Sequence, residues 1–408
     1  MGFKPARHEP CLYSGTMDGK MVLFLRQVDD FSVAADTQET CHSIIRYINS
    51  KMTMDVKSLG LVERFNGLDI LQTKWYIKIS CEKYLQKMLQ EHGWTHQGPT
   101  PIMPIPLPSE SEFVKSLENA IPPATISEAE QLKQEMGFNY RKVIGESLWP
   151  MVKARPDISP HIVKLSQFLD NPARVHYEAA RTLMQYLSVT MDAGIYYWRE
   201  TPIEDLPEGP LPTLHPDNYS MVTFGGASGE LEGLVDSDWA GDTAKRKSIS
   251  GILIMYAGGS IAYKSKFQDV IALSTTEAEF VAACEATKII LFFRSILEDL
   301  GLPQEHATVL YEDNSGALMM ANAQQPTKRT RHMDIKHFSL LDWVERDLVL
   351  LHAIATHDNA ADAMTKLLPK QLFYRHFDTY MGRRIPSYVQ LPTSDRSKQP
   401  LLTCSTPK

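Results

Sequence analysis

Acidic residues stand at the ends of apolar runs at several points along this chain of 408 residues. LEGLVDSDW closes a run with Asp236 and Asp238, and ATVLYEDN closes another with Glu312 and Asp313. STTEAEF carries Glu277 and Glu279 at the start of a long apolar stretch, and NAADAMTK carries Asp362. Acids from two strand ends and two helices can converge on one spot, and such a cluster repels itself unless a cation fills it. Mg²⁺ ions held as a pair by carboxylates activate water and stabilise the leaving oxygen in phosphodiester hydrolysis, and Mn²⁺ suits the same oxygen donors. Asp29 and Asp30, in FLRQVDDFSV between two apolar runs, form a second candidate metal pair at a hairpin tip.

Part of the division of labour follows from local geometry. Ser274 is a natural N-cap and Glu277 sits three residues later, so Glu277 reads as the second half of a capping box. Glu279, two positions on, points elsewhere and is the metal-ligand candidate. Glu312 and Asp313 are strand neighbours facing opposite ways, so one of them is expected to enter a cluster. Asp236 and Asp238 share a face, and spacing does not separate them. Taken singly, an acid at an element end is usually a cap or a solvated charge; the ordered set is what points to metal.

The elements that must position these acids lie within residues 231–370. LEGLVDSDW, SGILIMYAGG and SIAYKSKFQDVIAL read as strands, followed by a long helix from STTEAEF that Gly301 and Pro303 stop. ATVLYEDN and LVLLHAIATHD read as further strands, and NAADAMTKLL as a helix. Upstream, residues 1–96 alternate between strand and helix patterns: CLYSG and MVLFLRQVDDFSVAA around turns, a helix over 36–51, a hairpin from FNGLDIL to WYIKIS, and a helix from Glu82. Asp36 and Glu39 read as the capping box of the first helix, whose apolar face is Cys41, Ile44, Ile45, Ile48 and Met52. Residues 97–139 read as a proline-rich linker, 140–200 as a helical segment broken at Asn171-Pro172, 201–230 as a second linker and 371–408 as a tail.

The net charge of −7 argues against binding nucleic acid by bulk charge and leaves room for local basic patches. Three such clusters flank the acids: Lys245, Arg246 and Lys247; Lys264 and Lys266; and Lys328, Arg329 and Arg331. Phosphate contacts from these loops would position a duplex without reading its sequence. Trp239 and Trp343 are expected to pack in the core. His332 and His337 lack the partners of a zinc site. Five widely spaced cysteines without a CxxC pair favour a reducing compartment. The most apolar run, IILFFRSIL, is short and broken by Arg294, and MGFKPARHEP has no apolar leader core. The expectation is a soluble cytoplasmic or nuclear protein, neither secreted nor bound to membrane.

VDSDWAGD, KRKSISG, IAYKSKFQDVIALSTTEAEF, LYEDNSGAL, RTRHMDIKHF and AADAMTK resemble, in order, the ribonuclease H domain of copia-type retrotransposon Pol polyproteins. VDD, GLVERFNGLDI, TPIMPIP, YRKVIGESLWPMVKARPDI and DNPARVHYEAARTLMQYL resemble the same family's reverse transcriptase palm, thumb and connection. The resemblance implies an α/β chain: a partial α+β palm, a helical thumb or connection, then a mixed five-stranded ribonuclease H-like sheet with helices. It implies Asp236, Glu279, Asp313 and Asp362 as the catalytic, metal-holding acids. The activity implied is Mg²⁺-dependent endonucleolytic hydrolysis of RNA in an RNA–DNA hybrid, with no small-molecule cofactor. His357, five residues before Asp362, would be a proton shuttle, as in some ribonucleases H, or else an exposed loop histidine. Asp29 and Asp30 match the polymerase metal pair, yet the third palm carboxylate has no counterpart among the 28 residues before them, whose acids are Glu9 and Asp18. Arg26-Gln27-Val28 also departs from the usual aromatic before the pair. No DNA polymerase activity is therefore expected of this chain, and the alternative to the nuclease is an inactive nucleic-acid-binding remnant.

Overall fold

A computed structural model describes residues 2–53, 55–94, 105–214, 229–239, 247–322, 335–387 and 389. Among these residues the strands form three sheets. The first is an antiparallel meander of β1 (Lys4–Pro5), β2 (Leu12–Met17), β3 (Lys20–Gln27) and β4 (Asp30–Ala35). Helix α1 (Gln38–Asn49) follows it, capped by Thr37 rather than Asp36: the Thr37 hydroxyl accepts from the Thr40 N–H, and Glu39 pairs with Arg46. The second sheet joins β5 (Arg64–Phe65), β6 (Leu68–Gln72) and β7 (Tyr76–Ser80), with α2 (Glu82–Glu91) behind.

Residues 105–139, expected to be largely linker, contain two helices, α3 (Ser111–Glu118) and α4 (Ile126–Met136). Thr125 and Glu128 close a capping box on α4, and Gly137 ends it in the left-handed conformation (φ 80°). Then come α5 (Tyr140–Lys153), α6 (Ser159–Ser166) and α7 (Arg174–Val189). Strand β8 (Gly194–Trp198) returns to pair antiparallel with β7 and completes the second sheet. It is also tied forward: the Tyr196 and Trp198 N–H groups donate to Met381 O and Ala257 O, and the Tyr197 hydroxyl to Ser260 O.

The third sheet is mixed, in the order β11-β10-β9-β12-β13, with β9 (Glu232–Asp238), β10 (Ile249–Tyr256) and β11 (Gly259–Phe267) antiparallel. β12 (Thr308–Glu312) and β13 (Val349–Ala353) run parallel to β9. The helices are α8 (Thr275–Asp299), α9 (Ser315–Ala321), α10 (Ile335–Glu345), α11 (Asp362–Thr365) and α12 (Lys370–Tyr380). Alternation along the strands divides the core. Val235, Ile252, Ile254 and Leu310 pack with Phe280, Ala283 and Ile290 of α8. Leu234, Leu253 and Met255 face the other way, into one core with α11, α12 and helices α5 to α7. The α12 residues Phe373, Phe377 and Tyr380 are buried there, so the polar tail read from residue 371 begins only after this amphipathic helix.

Under α7, the fully buried Arg155 guanidinium donates to Asp157 (2.7 and 2.9 Å) and to the carbonyl and hydroxyl of Thr190 (2.8 Å each). Tyr186 donates to the same Asp157 carboxylate at 2.6 Å. This satisfied ion pair joins three elements in a buried core.

Candidate active site

Asp236 lies on β9, opposite Gly251 of β10. A Cβ at Gly251 would meet Ala361 O and Thr365 Cγ2 at 2.7 Å each and Met364 Cβ at 2.9 Å, so only a hydrogen there lets α11 lie against the sheet. Asn359, fully buried, fixes the approach: its Nδ2 donates to Val235 O at 2.8 Å, one residue before Asp236. The result is that Asp362, Thr365 and Lys366 reach Asp236. The Thr365 hydroxyl donates to Asp236 Oδ2, while Lys366 Nζ stands 2.9 Å from Asp362 Oδ1 and 3.4 Å from Asp236 Oδ1.

Glu279 enters from the α8 side. Ser274 accepts from the Glu277 N–H at 3.2 Å and Glu277 accepts from the Leu273 N–H at 2.8 Å, which is the capping box that the spacing predicts. One carboxylate oxygen each of Asp236, Glu279 and Asp313 lies within 4.8 Å of the others, the one such acidic group among the described residues. Gly316 sets the third member: a Cβ there would lie 2.7 Å from Thr276 Oγ1, so α9 starts directly against the start of α8. Asn314 caps α9, accepting from the Ala317 N–H at 3.0 Å, and leaves Asp313 at the turn.

Of the two neighbouring acids Asp313 joins the three-acid group and Glu312, the last residue of β12, stands outside it, although its charge still acts on Glu279. Glu312 is 0% exposed; one oxygen accepts the Asn314 N–H at 2.9 Å and the other has no partner. Glu279, 6% exposed, likewise keeps one oxygen unpartnered. Burial drives the Glu279 carboxyl far above its usual range, and the charges of Glu312, Asp236 and Asp313 push it further. Burial also raises Glu312, against the Asn314 N–H that holds its anion. Asp362 is raised by burial and by Asp236, partly offset by Lys366. For Lys366, burial opposes the charged form, but Asp236 and Asp362 outweigh it and hold its pKa above the ordinary lysine value. Buried carboxylates with free lone pairs are a fit for a hard divalent cation such as Mg²⁺ or Mn²⁺, which takes oxygen donors.

Asp362 is buried beside Asp236 but outside the three-acid group. Asp238 is half-buried at the strand end and also stands outside it. Gln268, which no motif singled out, ties the site's supports together: its Nε2 donates to Ser250 Oγ (2.9 Å) and Ala278 O (2.8 Å). His357 is exposed and lies 3.3 Å from Asp358. Trp239, expected in the core, is 46% exposed, with its indole N–H donating to Ala272 O; the strand ends before it can tuck inward. Trp343 does pack against the core beneath α8.

Of the expected basic contacts, Lys264 pairs with Glu285 (3.3 Å) and Lys266 with Asp269 (3.5 Å), along a groove that Lys288 of α8 also lines. Lys247 precedes β10, half-buried. Lys245, Arg246, Lys328, Arg329, Arg331 and His332 lie outside the described residues, as does the side chain of His337. Asp29 and Asp30 are exposed at the β3–β4 turn, where Val28 adopts a left-handed φ of 54°.

No family model matches the chain. The chain is 28% identical over 370 residues to the retrovirus-related Pol polyprotein from transposon TNT 1-94 of Nicotiana tabacum, covering 90% of this chain and 25% of that protein. It is 24% identical over 389 residues to the corresponding polyprotein from transposon RE1 of Arabidopsis thaliana, covering 95% and 23%. A stretch of 149 residues is 32% identical to secreted RxLR effector protein 161 of Plasmopara viticola, covering 36% of this chain and 87% of that one. The chain thus spans about a quarter of the length of the two polyproteins. Among solved structures, a ribonuclease H1 isolated from compost by a metagenomic approach aligns with 34% of this chain and 93% of its own, at 16% identity and a TM-score of 0.27. Among the described residues no helix is long and apolar enough to cross a membrane.

Proposed function

This chain belongs with the retrovirus-related Pol polyproteins of copia-type transposons, and on that premise we propose that it hydrolyses the RNA strand of an RNA–DNA hybrid. The observation that carries the reading is the convergence of Asp236, Glu279 and Asp313 with unpartnered buried carboxylate oxygens beside them. Asp236, Glu279 and Asp313 would hold one Mg²⁺, and Asp236 with Asp362 a second; Mn²⁺ would serve in their place. Such ions, when bound, supply Lewis-acid activation of water and stabilise charge on the leaving oxygen.

The chain's own groups do the rest. The Thr365 hydroxyl and the α11 backbone hold Asp236 and Asp362 in place, so the carboxylates need no rearrangement. Water attacks phosphorus and gives up one proton to solvent, the bond to the 3′ oxygen breaks, and that oxygen takes a proton from solvent. The products carry a 5′-phosphate and a 3′-hydroxyl. Lys264, Lys266 and Lys288 line the groove beside the site and would grip phosphates, exchanging Glu285 and Asp269 for the hybrid backbone. His357, solvent-exposed and ahead of Asp362, is a candidate to carry protons to and from bulk water. Templated polymerisation is not part of this reading, since among the described residues no third acid closes on Asp29 and Asp30.

The test is cleavage of an end-labelled RNA–DNA hybrid in Mg²⁺ by the full chain, with loss in Asp313→Asn while folding is retained. Hybrid binding without cleavage by the wild-type protein would replace this reading with that of a binding remnant. Primer extension on an RNA template is expected to give no product.

A further inference from the structure

The four acids divide unevenly. Among the described residues no ammonium or guanidinium pairs with Glu279 or Asp313, whereas the gap between Asp236 and Asp362 is spanned by the Lys366 ammonium, 3.4 Å from one and 2.9 Å from the other. Lys366 is four residues beyond Asp362, just past the end of α11, so this pairing is local and needs little ordering of the chain. The Thr365 hydroxyl takes the other oxygen of Asp236, so the two residues together satisfy that carboxylate. The lysine side chain is 39% exposed, which leaves its flexible stem a route into solvent.

Resting on the hydrolase reading above, we propose that Lys366 is a resident counter-cation of the second metal position and must swing out before a second divalent ion can enter. The consequence is ordered loading. The Asp236–Glu279–Asp313 position fills first, because two of its three acids pair with no ammonium. The Asp236–Asp362 position fills second and weakly, because a divalent ion there displaces an ammonium that already neutralises both acids. Lys366 is thus a positioning residue that sets the metal concentration at which the site is complete. It also keeps Asp236 and Asp362 from repelling each other in the metal-free protein.

Titration calorimetry with Mn²⁺ alone on the full chain tests this, with electron paramagnetic resonance counting the bound ions. Wild type is expected to show two binding events of different strength. In Lys366→Met, which keeps the apolar stem, the weaker event should tighten by about tenfold or more, while the stronger changes by less than about threefold. Lys366→Arg keeps the charge and should leave the weaker event weak. A circular dichroism melt of each variant shows that the fold is retained. The Mg²⁺ concentration for half-maximal hybrid cleavage should fall in Lys366→Met. The proposal is overturned if the weaker event is unchanged in Lys366→Met, if both proteins bind a single ion alike, or if Lys366→Arg behaves as Lys366→Met. No Mn²⁺ binding by wild type, with Asp313→Asn indistinguishable from it, would overturn the hydrolase reading as well.

Discussion

Gly251→Ala is the perturbation that tests the architecture of the site without touching an acid. The new methyl carbon would stand 2.7 Å from a backbone oxygen of Ala361 and from Thr365 Cγ2, and 2.9 Å from Met364 Cβ. Comfortable contact begins near ~3.5 Å, so α11 must retreat by roughly 0.8 Å. Backbone is the obstacle on one side, and rotamer changes cannot relieve it. Overpacking of this kind costs about 1–3 kcal/mol. The larger effect falls on function, because the same retreat draws Thr365, Lys366 and Asp362 away from Asp236. A displacement near ~1 Å in a catalytic constellation lowers rate by about 100-fold. Urea denaturation would read the first effect as a lower midpoint with an unchanged slope, and single-turnover hybrid cleavage would read the second. Gly145→Ala supplies the control. A Cβ there meets nothing within 4 Å, in the interior of α5, so that variant should gain about 0.5–1 kcal/mol and cleave normally. If Gly251→Ala loses less than about 0.5 kcal/mol and cleaves at the wild-type rate, the close approach of α11 does not build the site.

Three further outcomes are expected. Glu312→Gln should stabilise the metal-free protein at mildly alkaline pH by on the order of 1–2 kcal/mol, since a fully buried, repelled carboxylate is replaced by a neutral amide; a lower urea midpoint would contradict this. The raised carboxyls of Glu279, Glu312 and Asp362 mean that the folded metal-free protein holds protons the unfolded chain has released above the ordinary carboxylate range. Their contribution to stability therefore falls as pH rises through that range. The buried His161 and His376, whose pKa values burial lowers to about 3, act oppositely and cost stability below the ordinary histidine pKa. The histidine effect cancels in the difference between melts with and without Mg²⁺, so the gain in Tm from Mg²⁺ should grow from about pH 5 to about pH 8. A gain independent of pH would show that the acids do not exchange protons for metal. Asp157→Asn, which leaves the buried Arg155 charge uncompensated, should cost about 3–5 kcal/mol, and an unshifted thermal midpoint would argue against that ion pair's role in the shared core.

The mixed sheet was legible because most of its strands are apolar runs, two of which, β9 and β12, end in acids. Glu277 and Glu279 could be told apart from the capping spacing alone. Other features were hidden for physical reasons. Helices α3 and α4 sit beside five prolines, and their apolar faces make sense only against α7. The full burial of Glu312 beside the three-acid group was hidden, because it follows from the packing around the strand end and not from alternation. Gly251 and Lys366 look like an ordinary strand glycine and an ordinary surface lysine. Their meaning comes from α11, which is brought against β10 from over 100 residues later in the chain.

Strand β8 carries a consequence for any cut in the chain between it and β9. It pairs with β7 on one side and donates to Met381 and Ala257 on the other, while helices α5 to α7 share a core with the sheet that bears the acids. A nick between Arg199 and the start of β9 would therefore sever the chain without parting the protein. The two pieces would co-purify as a non-covalent pair.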